Sequence, residues 1–250
     1  MQIKVLSFFA DIVIVKVRIY QMIIRNKQHV QQTNQPTNKQ ILQKEFNNPV
    51  FGQGKLQQPQ SLSITPEEIL EIVNGTCTKD KITAFGITHY KYDDCKSSDM
   101  VTFLNASGDK MSVHKDCKKA FDEMQAEAKK KGIDLNIISG FRSKKRQVHV
   151  FAKKFKDKTS PTPEEMESRL RFSAPSGYSE HHTGYAIDIN SVEQSFGDTE
   201  AGIWLAKHAH KFGFEMSFPP NNHQNLGYEP WHFRYIGTEE AKKIFSQASE

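Results

Sequence analysis

The sequence predicts an α+β fold in which a small central antiparallel sheet is flanked by helices. Three observations carry this. Short apolar runs bounded by turn residues, such as 100–104 and 133–139, read as strands. Longer segments place apolar residues at helical spacing, as Cys117, Ala120, Phe121, Met124 and Ala128 do. The two kinds alternate along the chain with no internal repeat, and several of the strands are antiparallel neighbours.

The chain has 250 residues. Residues 1–27 are rich in apolar side chains, but Asp11, Lys16, Arg18 and Gln21 interrupt the run. That pattern is too broken for a spanning helix and not clean enough for an export signal. It is an apolar and basic extension, open to reading as a degenerate signal or anchor, a poorly ordered tail or a start codon assigned too early. Residues 28–62 are dominated by Gln and Asn with scattered Pro and Gly. Such a segment buries too little apolar surface to offset its ordering entropy, so a disordered linker is expected. The folded domain is expected over 63–250.

Thr65-Pro66-Glu67-Glu68 is a helix start, with a cap, a proline at the first helical position and acids in the first turn. Ile69, Leu70, Ile72 and Val73 are its expected inner face. Strands follow at 82–85 and 100–104, with 105–109 as a turn. A helix over 115–131 ends on a basic turn with Gly132 as its cap, and 133–139 is a strand. Ser143 caps the next helix, with Val148, Phe151 and Phe155 inward and Lys144, Lys145, Lys153, Lys154 and Lys156 outward. A short helix spans about 164–171. Asp198 or Thr199 caps a helix carrying Ile203, Trp204, Leu205, Ala209 and Phe212, stopped by Gly213. Residues 214–218 and 231–236 are strands around a polar loop. Thr238 caps a last helix with Ala241, Ile244 and Phe245 inward.

The formal charge of +5 is mild. It permits attraction to an anionic polymer, and no nucleic-acid-binding motif accompanies it. The three cysteines, Cys77, Cys95 and Cys117, form no C-x-x-C pair, which argues against a cysteine-only zinc site. Cys77 and Cys95 share one irregular region and can either bridge in an oxidising compartment or stay as thiols. Cys117 lies on the apolar side of its helix and reads as a core residue.

The chemistry gathers in Ser179-Glu180-His181-His182-Thr183-Gly184-Tyr185-Ala186-Ile187-Asp188 and in Glu229-Pro230-Trp231-His232. Two imidazoles and one carboxylate can hold a zinc ion and leave a position open for water. A further carboxylate, Glu229, can serve as base for that water. Asp188 lies between isoleucines on a strand, where a carboxylate is expensive unless paired or metal-bound. Gly184 suits a tight turn that returns His181 toward Asp188. Trp231 can wall off one side of a polar site. Spacing alone does not decide between His181 and His182 as the ligand.

The ordered pair of motifs, Ser179-x-His181-x-x-Gly184-x-Ala186-x-Asp188 and then Glu229-x-Trp231-His232, resembles the zinc D-alanyl-D-alanine carboxypeptidases of the VanY type. That superfamily also includes D-Ala-D-Ala dipeptidases and the hedgehog signalling domain. Ser139-Gly140-Phe141-Arg142-Ser143 and Gln147 also resemble this family, and the likeness covers roughly residues 80–240. It implies a hedgehog/D-Ala-D-Ala peptidase-like sheet and one Zn²⁺ per chain held by His181, Asp188 and His232, with His182 outside the metal shell. It implies Glu229 as general base and then proton donor to the leaving amine. Arg142 would stabilise the oxyanion or grip the substrate, since a guanidinium stays charged and offers a planar fork of donors. Ser179, Gln147 and Trp231 would contact substrate. The implied reaction is removal of the terminal D-alanine from peptidoglycan stem peptides, outside the cytoplasm. The chain is expected to be a monomer.

Rival readings are an L,D-carboxypeptidase or a D,D-dipeptidase or endopeptidase of the same superfamily, a zinc module without catalysis, and a wall-polymer adhesin using the basic helix. Glu229 and Arg142 argue against the module, because a purely structural zinc site needs neither.

Overall fold

The computed structural model describes residues 64–248. The expectations for 1–27 and 28–62 lie outside the described residues. No helix among those described is long and apolar enough to cross a membrane.

Helix α1, Pro66–Asn74, begins at a full capping box. Thr65 Oγ1 accepts from the Glu68 N–H, and the Glu68 carboxylate accepts from the Thr65 N–H. Ile69, Ile72 and Val73 are buried, whereas Leu70, one position round the helix, is only half-buried. Strands β1 (Lys81–Ala84) and β2 (Ile87–Tyr90) form a hairpin. Its two turn residues, Phe85 and Gly86, both have positive φ, the geometry that matches the twist of paired strands. Sequence reading did not find β2, because a phenylalanine is a poor advertisement for a left-handed turn position.

Strands β3 (Met100–Leu104) and β4 (Lys110–His114) make a second hairpin. Helix α2, Lys115–Lys129, follows directly and buries Cys117, Ala120, Phe121, Met124 and Ala128, as its spacing predicts. The chain then reverses at Gly132. Of the run 133–139, only β5, Ile137–Ser139, is paired, although Ile133 and Leu135 are also buried.

Helix α3, Lys144–Ala152, is capped by Ser143 Oγ, and α4, Pro163–Phe172, by a second capping box at Thr162. In α3, Gln147 and Phe151 face inward while Val148 is half-buried, and Phe155 is buried beyond the helix end. Lys144 bends to an ion pair with Asp93 at 2.8 Å. Strand β6 is Ala186–Ile189. Helix α5, Glu200–His208, starts at Thr199 rather than Asp198. It buries Trp204 and Leu205 but leaves Ile203 exposed on its flank. Strand β7 is Phe214–Met216, β8 is His232–Tyr235, and helix α6 is Glu239–Phe245.

The main sheet has the order β5-β6-β8-β7, every pair antiparallel. With the helices around it this is the α+β architecture expected. Two apolar cores result. One joins the sheet to α2, α5 and α6 through residues such as Met124, Ile187, Leu205, Phe233 and Phe245. The other joins α1, the β1–β2 hairpin, α3 and α4 through Ile72, Ile87, Phe151, Met166 and Leu170. Cys77 and Cys95 are both free thiols, and Cys77 Sγ accepts a hydrogen bond from the Tyr178 hydroxyl.

Candidate active site

The register of β6 against β8 places Asp188 directly opposite His232. Directly opposed residues on antiparallel strands project to the same face, so the two side chains meet. His232 Nδ1 lies 2.9 Å from Asp188 Oδ1. His181 arrives from the short 3-10 turn Glu180–Thr183, which Gly184 ends at φ 70°. A side chain at Gly184 would also press on the His114 amide, which donates to the Gly184 carbonyl. This turn brings His181 Nε2 to 3.3 Å from Asp188 Oδ2. All three residues are buried, and one donor atom from each falls within 4.8 Å of the others.

Hydrogen bonding fixes which nitrogen each ring offers. His181 Nδ1 lies 2.8 Å from the Gly140 carbonyl, which can only accept, so Nδ1 carries the hydrogen. His232 Nε2 lies 3.0 Å from Glu180 Oε2 and donates to it. With both rings in the neutral form that a metal requires, the lone pairs of His181 Nε2 and His232 Nδ1 face the two oxygens of one carboxylate. Without a metal, a proton on His232 Nδ1 fills the place of a cation between ring and carboxylate, and a metal that displaced it would meet two neutral imidazoles and one carboxylate, a set that suits zinc. The residues therefore fit a divalent metal.

The carboxylate behind His232 was not singled out in the sequence. Glu180 is buried, accepts from His232, Ser217 Oγ (2.6 Å) and Arg234 Nη1 (2.8 Å), and so orients the ring. Arg234 also pairs with Glu215 at 2.6 Å. Glu180 is visible in sequence only as a neighbour of two histidines. Its direction depends on a partner more than fifty positions away. Phe218, also not foreseen, stacks on His232 with ring centroids 4.9 Å apart.

Burial alone would raise the Asp188 and Glu180 carboxyls. The histidines hold Asp188 well below the usual carboxylate range, and Arg234 and His232 hold Glu180 at about 2. Burial pushes His181 down against the pull of Asp188. For His232 the two carboxylates overcome burial and push it up to about 10. Glu229 behaves oppositely. Burial, with Asp188 and Glu180 nearby, pushes it up to about 7 against the opposing pull of His232 and Arg142. Its carboxylate lies 3.9 Å from His232 Nδ1.

His181, Asp188, His232, Glu180 and Glu229 line a cavity of about 350 Å³, together with Arg142, Gln147, Ser179 and Trp231. Every predicted site residue therefore borders the same space. Among the described residues the Arg142 guanidinium makes no hydrogen bond, although it is close enough to Asp188 and Glu229 to feel both charges. Its backbone is held instead. The Arg142 N–H donates to the His181 carbonyl, and the Arg142 carbonyl accepts from His182 Nδ1 at 2.6 Å. His182 Nε2 accepts from the Gly177 N–H at 3.0 Å. Both nitrogens of His182 are thus engaged with backbone, away from the three-residue group.

A buried His/Asp/His donor set beside a carboxylate, lining a cavity on an α+β scaffold, fits the metal-dependent hydrolase class. The VanY profile, described as D-alanyl-D-alanine carboxypeptidase, matches residues 110–238, and the chain belongs to this family. It is 32% identical over 187 residues to the putative carboxypeptidase YodJ of Bacillus subtilis (strain 168), covering 72% of this chain and 64% of the relative. It is 32% identical over 132 residues to a D-alanyl-D-alanine carboxypeptidase of Enterococcus faecalis (strain ATCC 700802 / V583), covering 51% of this chain and 48% of that one. The chain thus spans less than two thirds of the length of either relative. Among solved structures, the LdcB LD-carboxypeptidase superposes with a TM-score of 0.51 at 31% identity, covering 62% of this chain and 75% of that chain.

Proposed function

We propose that this chain is a zinc carboxypeptidase that removes the terminal D-alanine from peptidoglycan stem peptides outside the cytoplasm. His181, Asp188 and His232 would hold the metal, which when bound supplies a Lewis acid and an acidified water. The observation that carries the reading is Glu229. This carboxylate is half-buried beside the donor set, 3.9 Å from His232 Nδ1, and its proton affinity is raised to near neutrality. A group so poised can take a proton from water and return it to the departing amine of D-alanine. Arg142, charged and without a hydrogen-bonding partner among the described residues, is free to grip the developing oxyanion or the substrate's terminal carboxylate. Gln147 and Ser179 would orient the peptide, and Trp231 would close the site on one side.

The structural likeness to an LD-carboxypeptidase favours a second reading, cleavage of an L,D rather than a D,D bond. Incubating the purified chain with defined muropeptides, with and without chelator, and weighing the products by mass spectrometry separates the two. Chelator-sensitive loss of alanine from pentapeptide stems supports the D,D reading. Loss only from tetrapeptide stems supports the L,D reading. No cleavage of either overturns both.

A further inference from the structure

Positive charge is concentrated in one short stretch of this chain. Residues 144–158 hold seven lysines and arginines against one acid, Asp157, a surplus of six where the whole chain carries +5. The helical repeat gathers part of this charge on one side of α3. At 3.6 residues per turn, Lys145, Arg146, His149 and Lys153 fall within about 100° of one another around the axis. All four are exposed, while Gln147, Phe151 and Ala152 are buried on the opposite side. Past the helix end Lys154, Lys156 and Lys158 are exposed as well, and buried Phe155 ties their segment to the same core as α3.

An ordinary solvated face of this protein is built differently. On α2 and α6, and just past the end of α2, lysines meet acids about one turn away: Lys118 with Asp122, Lys130 with Glu127 and Lys242 with Glu239. Within 144–158 only Lys144 is paired, to Asp93, and the other six cations have no ion pair among the described residues. Asp157 is turned to the Thr159 N–H and hydroxyl, at 2.8 and 2.7 Å. Position along the helix is a second mismatch. Each of the other five α-helices described carries an acid in its first turn, and α3 carries none. Lys145 and Arg146 stand there instead, at the end where the helix dipole disfavours positive charge. Asp94 accepts from the Lys144 N–H, and no ion pair joins it to Lys145 or Arg146. Arg146 also stands close enough to Arg142 to oppose its charge. Folding gains nothing from this arrangement, whereas an external polyanion would relieve both the mutual repulsion and the conflict with the dipole.

We infer that the exposed side of α3 and the segment running on to Lys158 dock this chain on a linear phosphodiester polymer of the cell envelope. The placement of that polymer outside the cytoplasm rests on the proposed peptidase reading, and the charge complementarity does not. A lipid surface asks for apolar side chains on the docking face. None is exposed within 144–158, because Phe151 and Phe155 are buried in the core. Single-stranded nucleic acid is held by stacking its bases on aromatic rings, and no Phe, Tyr or Trp is exposed here. A polymer of phosphodiesters asks only for cations set out along its length, and it repays them by releasing its counterions.

The test titrates soluble poly(glycerol phosphate) into the zinc-loaded full chain at several salt concentrations. Binding is expected to weaken with salt along a log–log slope of about −3, as for four or more cations on a flexible polyanion. Lys145→Gln, Lys156→Gln and Lys158→Gln together, all at exposed positions, should weaken binding by about tenfold at low salt and flatten the slope by about 2. A control carrying Lys118→Gln, Lys130→Gln and Lys242→Gln removes the same charge elsewhere, and its affinity should stay within about twofold of wild type. No binding of the polymer, an unaffected triple variant, or a control that weakens as much as the triple variant overturns the inference. So does tighter binding to phosphatidylglycerol vesicles, or to a single-stranded oligonucleotide with the same number of phosphates. Hydrolysis of a soluble stem peptide by the wild-type chain is read alongside. Polymer binding without hydrolysis would sink the peptidase reading alone, and hydrolysis without polymer binding would sink this inference alone.

Discussion

Asp188 and His232 stand opposite one another on β6 and β8, 44 positions apart in sequence and 2.9 Å apart between Oδ1 and Nδ1. Strand pairing rather than loop flexibility sets that distance. His181 joins them from the 3-10 turn Glu180–Thr183, and each member of the donor set should matter to metal affinity.

Asp188→Asn keeps the size of the side chain but removes the charge that both imidazoles face. The variant is expected to fold and to purify without stoichiometric zinc. Elemental analysis of the purified protein and a chelator competition assay check this. A variant that retains full zinc affinity would remove Asp188 from the donor set.

Glu180→Gln tests the carboxylate behind His232. An outer partner of this kind is typically worth about 10–100-fold in metal affinity. The same change disrupts a buried pair with Arg234, so stability should fall by about 3 kcal/mol. Zinc titration and denaturant unfolding read the two effects separately.

Glu229→Gln should leave zinc bound and cut the rate of peptide hydrolysis by about 10²–10⁴-fold, the usual worth of a positioned acid–base group. The same substitution gives a pH signature in the metal-free protein. The Glu229 carboxyl is raised from 4.5 to about 7 in the folded chain. A raised group contributes stability that is complete below its unfolded value and is lost as pH rises through its folded value. Metal-free wild type should thus lose up to ~3 kcal/mol between pH 4.5 and 8 through this group. Glu229→Gln should lack that component of the slope. Urea unfolding across this range is the measurement, and identical slopes would contradict the environment described for Glu229.

His182→Ala removes both a donor to the Arg142 carbonyl and an acceptor for the Gly177 N–H. Stability should drop by about 2–3 kcal/mol as these backbone groups lose their partner. Because Arg142 is positioned through that contact, hydrolysis should fall while zinc affinity stays near the wild-type value. Loss of zinc instead would place His182 in the metal shell.

How much of this could be read from the chain depends on how local each cause is. Thr65, Ser143, Thr199 and Thr238 announce their helices because a cap acts on amides two or three positions away. The inward stripe of α2 is equally local, since helical spacing alone puts Cys117, Phe121 and Met124 on one side. Strand β2 was missed because its turn uses Phe85 in a left-handed conformation that glycine usually supplies. Leu70 and Ile203 look like core residues by type, but the neighbours that would cover them are decided elsewhere in the fold.

The sequence by itself determined the residue types, the order of the two motifs and hence the family, because these are properties of a linear string. Only the tertiary structure decided which nitrogen of each histidine faces Asp188, that Glu180 stands behind His232, that His182 holds the Arg142 backbone, and that Gln224 shares a cavity with them. Those facts rest on antiparallel pairing and on hydrogen bonds between residues about 40 to 140 positions apart. Such directions depend on the whole packed domain, and no short-range rule of spacing or propensity contains them.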